Sequence, residues 1–408
     1  MEEKKSKNFL VVSGIQHGHF TGSVEIVREL SSLGHNITCY VLDEFEERMK
    51  DTGVKVVAYN IDRNEIKKLV PPGEVPFAEN TFIFGKSVEA IISLLTKDET
   101  KYDYYLFDSF FDIKELNKIF KIPLDKFALI CVSYIFTDEN YLDISAKRKV
   151  GLKRLNEKYN LNCHDFVEVH YMPNTFKKLI LTSKLLHYKS EKCDDTCYFM
   201  GANIEKRKFD ENFKFKIDKS KKLIYISCGT IFNSDINHYK TCIEAFKDSD
   251  EYQLLITVGQ YIDLKIFKDI PKNVSIFNYV PQSQIFPDVY IFITHGGLNS
   301  THESLLFGIP VIVIPQRYDQ YDTGRRIEQL EAGIFIDKRK TEITPDVLKD
   351  AVKNITINRE KYKKGVDLIK QSLIEAKNDR KNIFEKTQNK SGINIREINN
   401  KLKKKNNY

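Results

Sequence analysis

The segment from His295 to Glu303 combines two glycines with polar side chains directly after a predicted strand. The glycines form a turn into a helix, so that backbone N–H groups and the positive end of the helix dipole are exposed at its start. Asn299 and Ser300 add side-chain donors, and Glu303 lies one turn further along. This pattern predicts a binding site for a diphosphate. The alternative is an ordinary strand-to-helix connection that Asn299 or Ser300 caps.

Two further motifs flank this segment. Tyr279-Val280-Pro281-Gln282 lies upstream, and Asp319-Gln320 follows Pro315-Gln316 downstream. In parallel sheets with helices on both faces, ligands bind at the edge where the carboxyl ends of the strands meet. Because both motifs follow predicted strands, they favour a binding site over a simple capped connection.

The segments that must hold these residues alternate between strands and helices in two separate halves of the chain. The predicted strands cover residues 8–13, 36–42, 222–227, 252–258, 274–278 and 290–294, and the predicted helices cover 21–33, 236–246 and 359–377. Two such halves indicate an α/β protein with two doubly wound domains and parallel sheets.

A charged stretch without a long apolar run separates the two halves. We predict an N-terminal domain over residues 1–204, a linker over 205–219, a C-terminal domain over 220–385 and a basic tail over 386–408. The tail is rich in Asn and Lys, a composition typical of a frayed helix or a disordered segment.

Composition and charge exclude several classes of protein. The 408 residues are 41% hydrophobic and 30% charged, which is typical of globular proteins and not of collagen-like or coiled-coil chains. The net charge is +7, but the tail alone holds seven Lys or Arg against one Glu, so the remainder is near neutral. The chain therefore lacks the broad basic surface of a nucleic-acid-binding protein. Contact between the tail and an anionic membrane surface is an alternative role for that charge.

The cysteines and the apolar runs indicate a cytoplasmic protein. The seven cysteines are odd in number and lack paired metal-ligand spacings, as in a reducing compartment. The apolar run Phe9–Val12 is too short for a signal peptide, and no run approaches the roughly 18 residues of a membrane span. Cys193-x3-Cys197, with Cys163-His164 upstream, could bind zinc, but a single such pair is a weak signal. We expect no bound metal.

Together these motifs resemble those of the inverting family 1 glycosyltransferases, which include UDP-glucuronosyltransferases, plant secondary-metabolite glucosyltransferases and bacterial macrolide glycosyltransferases. The resemblance covers essentially the whole chain and is closest to the macrolide subgroup. The nucleotide-sugar signature matches in order: aromatic-x-P-Q at 279–282, H-G-G-x-N-S-x-x-E at 295–303, G-x-P at 308–310 and D-Q at 319–320. It implies a GT-B fold, in which two Rossmann-like domains face each other across a cleft.

The resemblance also implies roles in binding the nucleotide-sugar donor. Tyr279 would stack on uracil in place of the frequent Trp. Val280 and Gln282 would contact the nucleoside, and Glu303 would hold the ribose hydroxyls. The diphosphate would contact four residues of the glycine-rich segment and one of the S-x-G-T-like loop at 227–230: His295, Gly297, Asn299, Ser300 and Thr230. Asp319 and Gln320 would bind hydroxyls of the sugar. The expected donor is UDP-glucose, and no cofactor is expected.

The G-H-x motif at residues 18–20 resembles the one that carries the family's general base. The resemblance implies that His19, in the loop between the first strand and the first helix, takes the proton from an acceptor hydroxyl as that oxygen attacks the anomeric carbon. It implies that Asp108 orients His19 and stabilises the imidazolium. His17 is an alternative base, and Asp103 and Asp112 are alternative partners.

The implied reaction is a single displacement with inversion and without a metal ion, since no D-x-D pair lies at a predicted strand end. The helix start and His295 would stabilise the charge on the departing phosphate.

Aromatic-rich segments of the N-terminal half are candidates for the acceptor site, although aromatic residues also fill cores: residues 76–84, 110–111, 134–141 and 171–176. They favour a small apolar or aromatic acceptor that carries a hydroxyl. The predicted function is that of a UDP-glycosyltransferase, a hexosyltransferase of the EC 2.4.1 type. The alternatives are a catalytically silent nucleotide-sugar-binding partner of another transferase, and a nucleotide-sugar epimerase or hydrolase. The sequence does not specify an oligomeric state.

Overall fold

The chain folds around two parallel β-sheets. A computed structural model describes residues 6–69, 77–136, 153, 155–162, 176–202, 210–230, 233–260 and 262–386 of the chain. The strands of the first sheet are β1 (Asn8–Val12), β2 (Asn36–Leu42), β3 (Lys55–Tyr59), β4 (Tyr104–Asp108), β5 (Phe127–Cys131), β6 (Lys177–Ile180) and β7 (Cys197–Phe199). The strands of the second are β8 (Lys222–Ser227), β9 (Tyr252–Thr257), β10 (Val274–Phe277), β11 (Val289–Thr294), β12 (Val311–Val313) and β13 (Gly333–Phe335).

The strand orders are those of doubly wound folds. The first sheet runs β3-β2-β1-β4-β5-β6-β7 and the second β10-β9-β8-β11-β12-β13. Each of these neighbouring pairs is parallel. Both sheets grow outward from the first strand of their half, which confirms the predicted fold class.

Helices cover the faces of both sheets. Over the described residues they are α1 (His17–Ser32), α2 (Glu46–Lys50), α3 (Arg63–Leu69), α4 (Phe77–Lys97), α5 (Ile113–Phe120), α6 (Ile236–Phe246), α7 (Gln282–Ile285), α8 (Leu298–Leu306), α9 (Asp319–Gln329), α10 (Pro345–Ile357) and α11 (Arg359–Lys386). Strands buried on both faces need side chains that are apolar on both faces. Leu10, Val11 and Val12 of β1 are accordingly fully buried.

Helix α1 begins at His17, four residues before the predicted start at Thr21. The N–H of Phe20 donates to the carbonyl of Gln16 (2.8 Å), and the Phe20 ring stacks on Phe45 at 4.4 Å. Gly18 is the second residue of this helix, and glycine is destabilising chiefly in a helix interior. His19 therefore lies on the first turn of α1 and not in a loop, which corrects our prediction.

The last helix, α11, connects the two halves of the fold. Arg380 is fully buried, and its Nε donates to the carbonyl of Met200 (2.8 Å). Its Nη1 donates to Glu29 on α1 (3.2 Å), and Phe384 packs in the core of the first sheet. A buried guanidinium is costly to leave unpaired. These contacts hold the C-terminal turns of α11 against the N-terminal half.

Polar contacts between the halves also join the segment after β6 to helices of the second sheet. Thr182 Oγ1 lies 3.0 Å from His302 Nε2 of α8, and Ser372 Oγ of α11 donates to Ser183 Oγ (2.8 Å). His302 is buried, and burial lowers its pKa to about 3. The imidazole in this interface is therefore neutral at physiological pH.

We expect the protein to lose stability in mild acid because of buried histidines. Burial lowers the pKa of His187 and His238 to about 4, as it lowers that of His302 to about 3. Below pH 6.5 the unfolded chain binds protons that the folded chain does not, so acid favours unfolding. As the pH falls from roughly 6 to 4, each of these histidines should lower the free energy of unfolding by about 1 kcal/mol per pH unit.

Urea titrations at about pH 7.5 and about pH 5.5 test this, with His302→Gln as the matched variant. The free energy of unfolding of the variant should fall by about 1 kcal/mol less than that of the wild type. An equal fall in both proteins would show that His302 is protonated in the folded state.

Candidate active site

His19 and Asp108 come together at the carboxyl ends of β1 and β4. The Nδ1 atom of His19 lies 2.9 Å from both carboxylate oxygens of Asp108, which is fully buried at the last position of β4. The N–H of Phe110 donates to Asp108 Oδ1 (2.9 Å). Because an ionised carboxylate only accepts hydrogen bonds, Nδ1 carries the proton and donates to Asp108, which leaves the accepting lone pair of the neutral imidazole on Nε2. This arrangement can remove a proton from a hydroxyl that approaches Nε2.

Gly14 makes this contact possible, and the sequence motifs did not single it out. A Cβ atom at residue 14 would lie 2.3 Å from the Cβ of His19 and 2.8 Å from Asp108 Oδ2. Any side chain there would push the histidine away from the carboxylate. A glycine just after the first strand was the available signal, but glycines at strand ends are too common to indicate a close approach.

The alternative catalytic residues make other contacts. Arg48 Nη1 donates to Nδ1 of the exposed His17 (3.1 Å), which leaves the proton of a neutral ring on Nε2. Asp103 accepts from the N–H of Asn8 (2.9 Å) at the opposite edge of the sheet. Asp112 caps α5 by accepting from the N–H of Glu115 (3.1 Å). The geometry thus favours His19 and Asp108 as the acid–base pair.

The glycine-rich segment connects β11 to α8. Gly296 adopts φ +89°, and a Cβ there would lie 2.7 Å from Val313 Cγ1. Gly297 precedes the helix, and no side chain caps the first turn. Neither Asn299 nor Ser300 acts as the cap. The structure therefore differs from an ordinary capped connection. Within the described residues, no side chain caps the N–H groups at the start of α8 in competition with an anion.

The ring of His295 lies between two glycines. Cβ atoms at Gly229 and Gly297 would come within 2.6 Å and 2.4 Å of its Nε2. Burial lowers the pKa of His295 to about 4, so the ring is neutral at physiological pH. It can donate a hydrogen bond to a phosphate oxygen but does not bring a positive charge. Thr230, the other predicted phosphate contact, is exposed three residues after β8.

A hydrogen-bonded chain orients the carboxylate of Glu303. Gln282 Nε2 donates to Glu303 Oε2 (2.9 Å), and the hydroxyl of Tyr225 donates to Gln282 Oε1 (3.2 Å). Tyr225 is a buried residue of β8 that the motifs did not indicate. The ring of Tyr279 is 48% exposed and can stack on a base. Val280 is buried in the hydrophobic core, so its main chain is the part that can contact a ligand.

The predicted sugar-binding pair stands at the start of α9. Ser133 Oγ, just after β5, donates to Asp319 Oδ2 (2.7 Å). Burial raises the pKa of Asp319, and Ser133 and the nearby His19 act in the opposite direction. Gln320 Oε1 accepts from the N–H groups of residues 316 and 317 (2.8 and 2.9 Å), so its Nε2 is the atom that can donate to a sugar hydroxyl.

Asn299 connects the carboxyl edge of the second sheet to that of the first. Its Nδ2 donates to the carbonyl of Gly18 (3.0 Å), directly before His19. Together with the Ser133–Asp319 bond, this contact shows that the carboxyl ends of the two sheets face each other. Asn299 and Gly18 are thus in contact although they lie 281 positions apart in sequence.

The candidate acceptor segments divide between the site and the core. The ring of Phe110 lies 4.0 Å from that of His19, and Phe84 lies 6.3 Å from Phe110. Phe111, Tyr134 and Phe176 are buried core residues. Residues 137–141 and 171–175 of the predicted segments, residue 76, and the tail beyond Lys386 lie outside the described residues.

Two further sequence expectations concern metals and membranes. Within the described part of the chain, no three His, Cys, Asp or Glu side chains are grouped so that they could hold a metal ion. Cys193 and Cys197 are half-buried, and Cys163 and His164 lie outside the described residues. None of the helices described is both long and apolar enough to cross a membrane.

Comparison with known proteins places the chain in a family. Residues 252–379 match the family model of the erythromycin biosynthesis protein CIII-like C-terminal domain. The chain is 30% identical to the NDP-glycosyltransferase YjiC of Bacillus licheniformis over 361 residues, which cover 82% of this chain and 86% of that protein. It is 27% identical to the uncharacterized UDP-glucosyltransferase YojK of Bacillus subtilis, with coverage of 92% and 95%.

The fold is likewise similar to that of a solved glycosyltransferase. The crystal structure of the glycosyltransferase of kitacinnamycin superposes with a TM-score of 0.76 at 21% identity, and covers 95% of this chain and 100% of that one. The two parallel-sheet domains are those of a GT-B fold. The extended match to YjiC, with the nucleotide-sugar signature at one edge of the second sheet, shows that the chain is a glycosyltransferase enzyme of family 1.

Proposed function

We propose that this enzyme transfers glucose from UDP-glucose to a hydroxyl of a small apolar or aromatic acceptor, with inversion at the anomeric carbon. The observation that carries the proposal is the His19–Asp108 contact of 2.9 Å, which Asn299 connects to the start of α8. A base and an anion-binding helix start on opposite sides of one cleft are what a single displacement needs.

In the proposed step the acceptor hydroxyl gives its proton to Nε2 of His19. The oxygen forms a bond to the anomeric carbon as the bond from that carbon to the diphosphate oxygen breaks. Asp108 stabilises the resulting imidazolium. The negative charge on the departing UDP is received by the N–H groups of α8 and by hydrogen bonds from His295, Ser300 and Thr230, with the main chain of Gly297.

The donor lies along the carboxyl edge of the second sheet in this proposal. Tyr279 stacks on uracil, Gln282 and the main chain of Val280 contact the nucleoside, and Glu303 binds the ribose. Asp319 and Gln320 bind hydroxyls of glucose. The name of the YojK relative supports a UDP-glucose donor, and the natural product in the name of the kitacinnamycin enzyme supports a small-molecule acceptor.

Each of the two proposed domains binds one of the two substrates. The N-terminal domain (1–204) binds the acceptor, and the C-terminal domain (220–385) binds the nucleotide sugar. The linker (205–219) joins them, and the basic tail begins at residue 386. The half-exposed position of Phe84, next to Phe110 whose ring lies against that of His19, supports the assignment of the acceptor to the N-terminal side of the cleft.

UDP release from UDP-glucose, with phenolic, macrolide and sterol acceptors and with no acceptor, tests the proposal. Acceptor-dependent release together with a glucosylated product of inverted configuration is the expected result. Release without acceptor would identify a hydrolase. UDP binding without turnover on any acceptor would identify a silent partner, and turnover with TDP-glucose alone would correct the nucleotide.

We expect the transfer to proceed without a divalent cation. The N–H groups at the start of α8 and the neutral His295 are positioned to receive the leaving-group charge, which is the role a metal ion would otherwise have. The rate of UDP release should therefore be unchanged in excess EDTA. A loss of activity in EDTA that Mg²⁺ or Mn²⁺ restores would contradict this mechanism.

A further inference from the structure

The loop between β4 and α5 contacts the His19–Asp108 pair through Phe110. The N–H of Phe110 donates to Asp108 Oδ1 (2.9 Å). Its ring centroid lies 4.0 Å from that of the His19 imidazole, at an interplanar angle of 42°. The neighbouring Phe111 is buried against Phe107 and Phe84, at ring distances of 6.0 and 5.8 Å. Adjacent residues of one loop thus have different roles, since Phe110 covers the catalytic pair and Phe111 fills the core.

Three groups restrain the imidazole of His19 in different directions. The backbone of Gly14 lies against its Cβ, and Asp108 holds its Nδ1 edge. The Phe110 ring lies against one face and is itself only 8% exposed. With these contacts in place His19 is 9% exposed. Removal of the Phe110 ring would open the face of the imidazole to water and free it to rotate about its side-chain bonds.

We propose that Phe110 is a positioning residue for the general base. Its backbone N–H orients the Asp108 carboxylate, while its ring fixes the plane of the His19 imidazole and keeps water from the bond between the pair. In a water-excluded environment the bond between a carboxylate and an imidazole is stronger, and its orientation is better defined. This inference rests on the proposed role of His19 as the base.

The ring can be tested separately from the backbone, because a substitution at residue 110 keeps the N–H that donates to Asp108. Phe110→Ala removes the ring, and Phe110→Leu restores part of the apolar cover. Phe111→Leu is the matched control, since it changes the adjacent aromatic residue, whose ring packs against Phe107 and Phe84. If Phe110→Ala does not fold, Phe110→Leu carries the same test with a smaller effect.

We expect Phe110→Ala to lower kcat by about 30-fold, because a small misplacement of a catalytic group costs up to roughly 100-fold. The KM for UDP-glucose should stay within about twofold of that of the wild type, since the donor residues are in the other domain. Phe110→Leu should recover most of the loss, and Phe111→Leu should have a kcat within about twofold of the wild-type value.

The second readout is the Nδ1–H proton of His19, observed by NMR of protein with ¹⁵N-labelled histidine. We expect its exchange with solvent to be at least about tenfold faster in Phe110→Ala than in the wild type or in Phe111→Leu. This measurement needs no acceptor. It therefore remains decisive if the proposed transfer reaction itself proves wrong.

The outcomes separate the possible roles of the ring. A lower kcat together with faster exchange supports the proposal. Wild-type kcat and exchange would overturn it, as would a lower kcat with unchanged exchange. A rise confined to the KM for the acceptor would also overturn it, because the ring would then bind the acceptor and not the base.

Discussion

Replacement of His19 by alanine is expected to lower kcat for UDP release by about 1,000-fold, within the range that general bases contribute. The other imidazoles of the two described motif segments, at residues 17–20 and 295–303, make different contacts. His17 is exposed and accepts from Arg48, and His295 lies in the second domain between Gly229 and Gly297. The donor site remains intact in this variant, so the KM for UDP-glucose should change little.

His17→Ala is the matched control for this prediction. It removes an imidazole from the same turn of α1, two residues away, and leaves the His19–Asp108 contact in place. We expect it to keep a kcat within about threefold of the wild-type value. Initial rates of UDP release, measured with saturating donor and acceptor, decide the matter. If His17→Ala loses activity and His19→Ala keeps it, the base has been assigned to the wrong residue.

Replacement of Asp108 by asparagine is expected to lower kcat by about 1,000- to 10,000-fold. Asparagine matches the size of the buried carboxylate but presents an amide NH₂ or a neutral oxygen to Nδ1 of His19. If the NH₂ group faces Nδ1, the ring takes the tautomer with its proton on Nε2 and cannot accept one from the acceptor. The imidazolium formed during transfer also loses its counter-ion.

Asp112→Asn is the control for Asp108→Asn. Asp112 lies four residues further along and caps α5, and asparagine caps a helix about as well as aspartate. Its kcat should be within about twofold of the wild-type value. The double variant His19→Ala/Asp108→Asn should be no slower than the slower single variant, because the two residues act as a unit. Additive losses would show that Asp108 acts independently of His19.

The motifs proposed to bind a nucleotide sugar are local in sequence, which is why they can be recognised without a structure. A strand, a glycine turn and a helix start over residues 289–306 create an anion site from backbone groups alone. The alternation of apolar strands with helices likewise indicated two doubly wound domains, because each parallel strand needs a crossover helix. The start of α1 was misplaced by four residues because Gly18 interrupts the apolar pattern.

The close contacts of His19 and Asp108, the proposed catalytic pair, come from packing, about which spacing in sequence carries no information. Gly14 and Phe110 surround the imidazole only because β1 and β4 are neighbours in the sheet. The same holds for Tyr225, which reaches Gln282 from the second sheet, and for the burial of Val280, which removes its side chain from the donor site.

The sequence of this protein was sufficient to indicate its family, its two α/β domains and the residues of its nucleotide-sugar signature. Each of these depends on residues close together in the chain, whose backbone geometry follows from local spacing. Only the tertiary structure decided that the carboxyl edges of the two sheets face each other. The bonds from Asn299 to Gly18 and from Ser133 to Asp319 show this arrangement. These bonds join residues 281 and 186 positions apart, and they form because the buried contacts of α8 and α11 bring the two domains together.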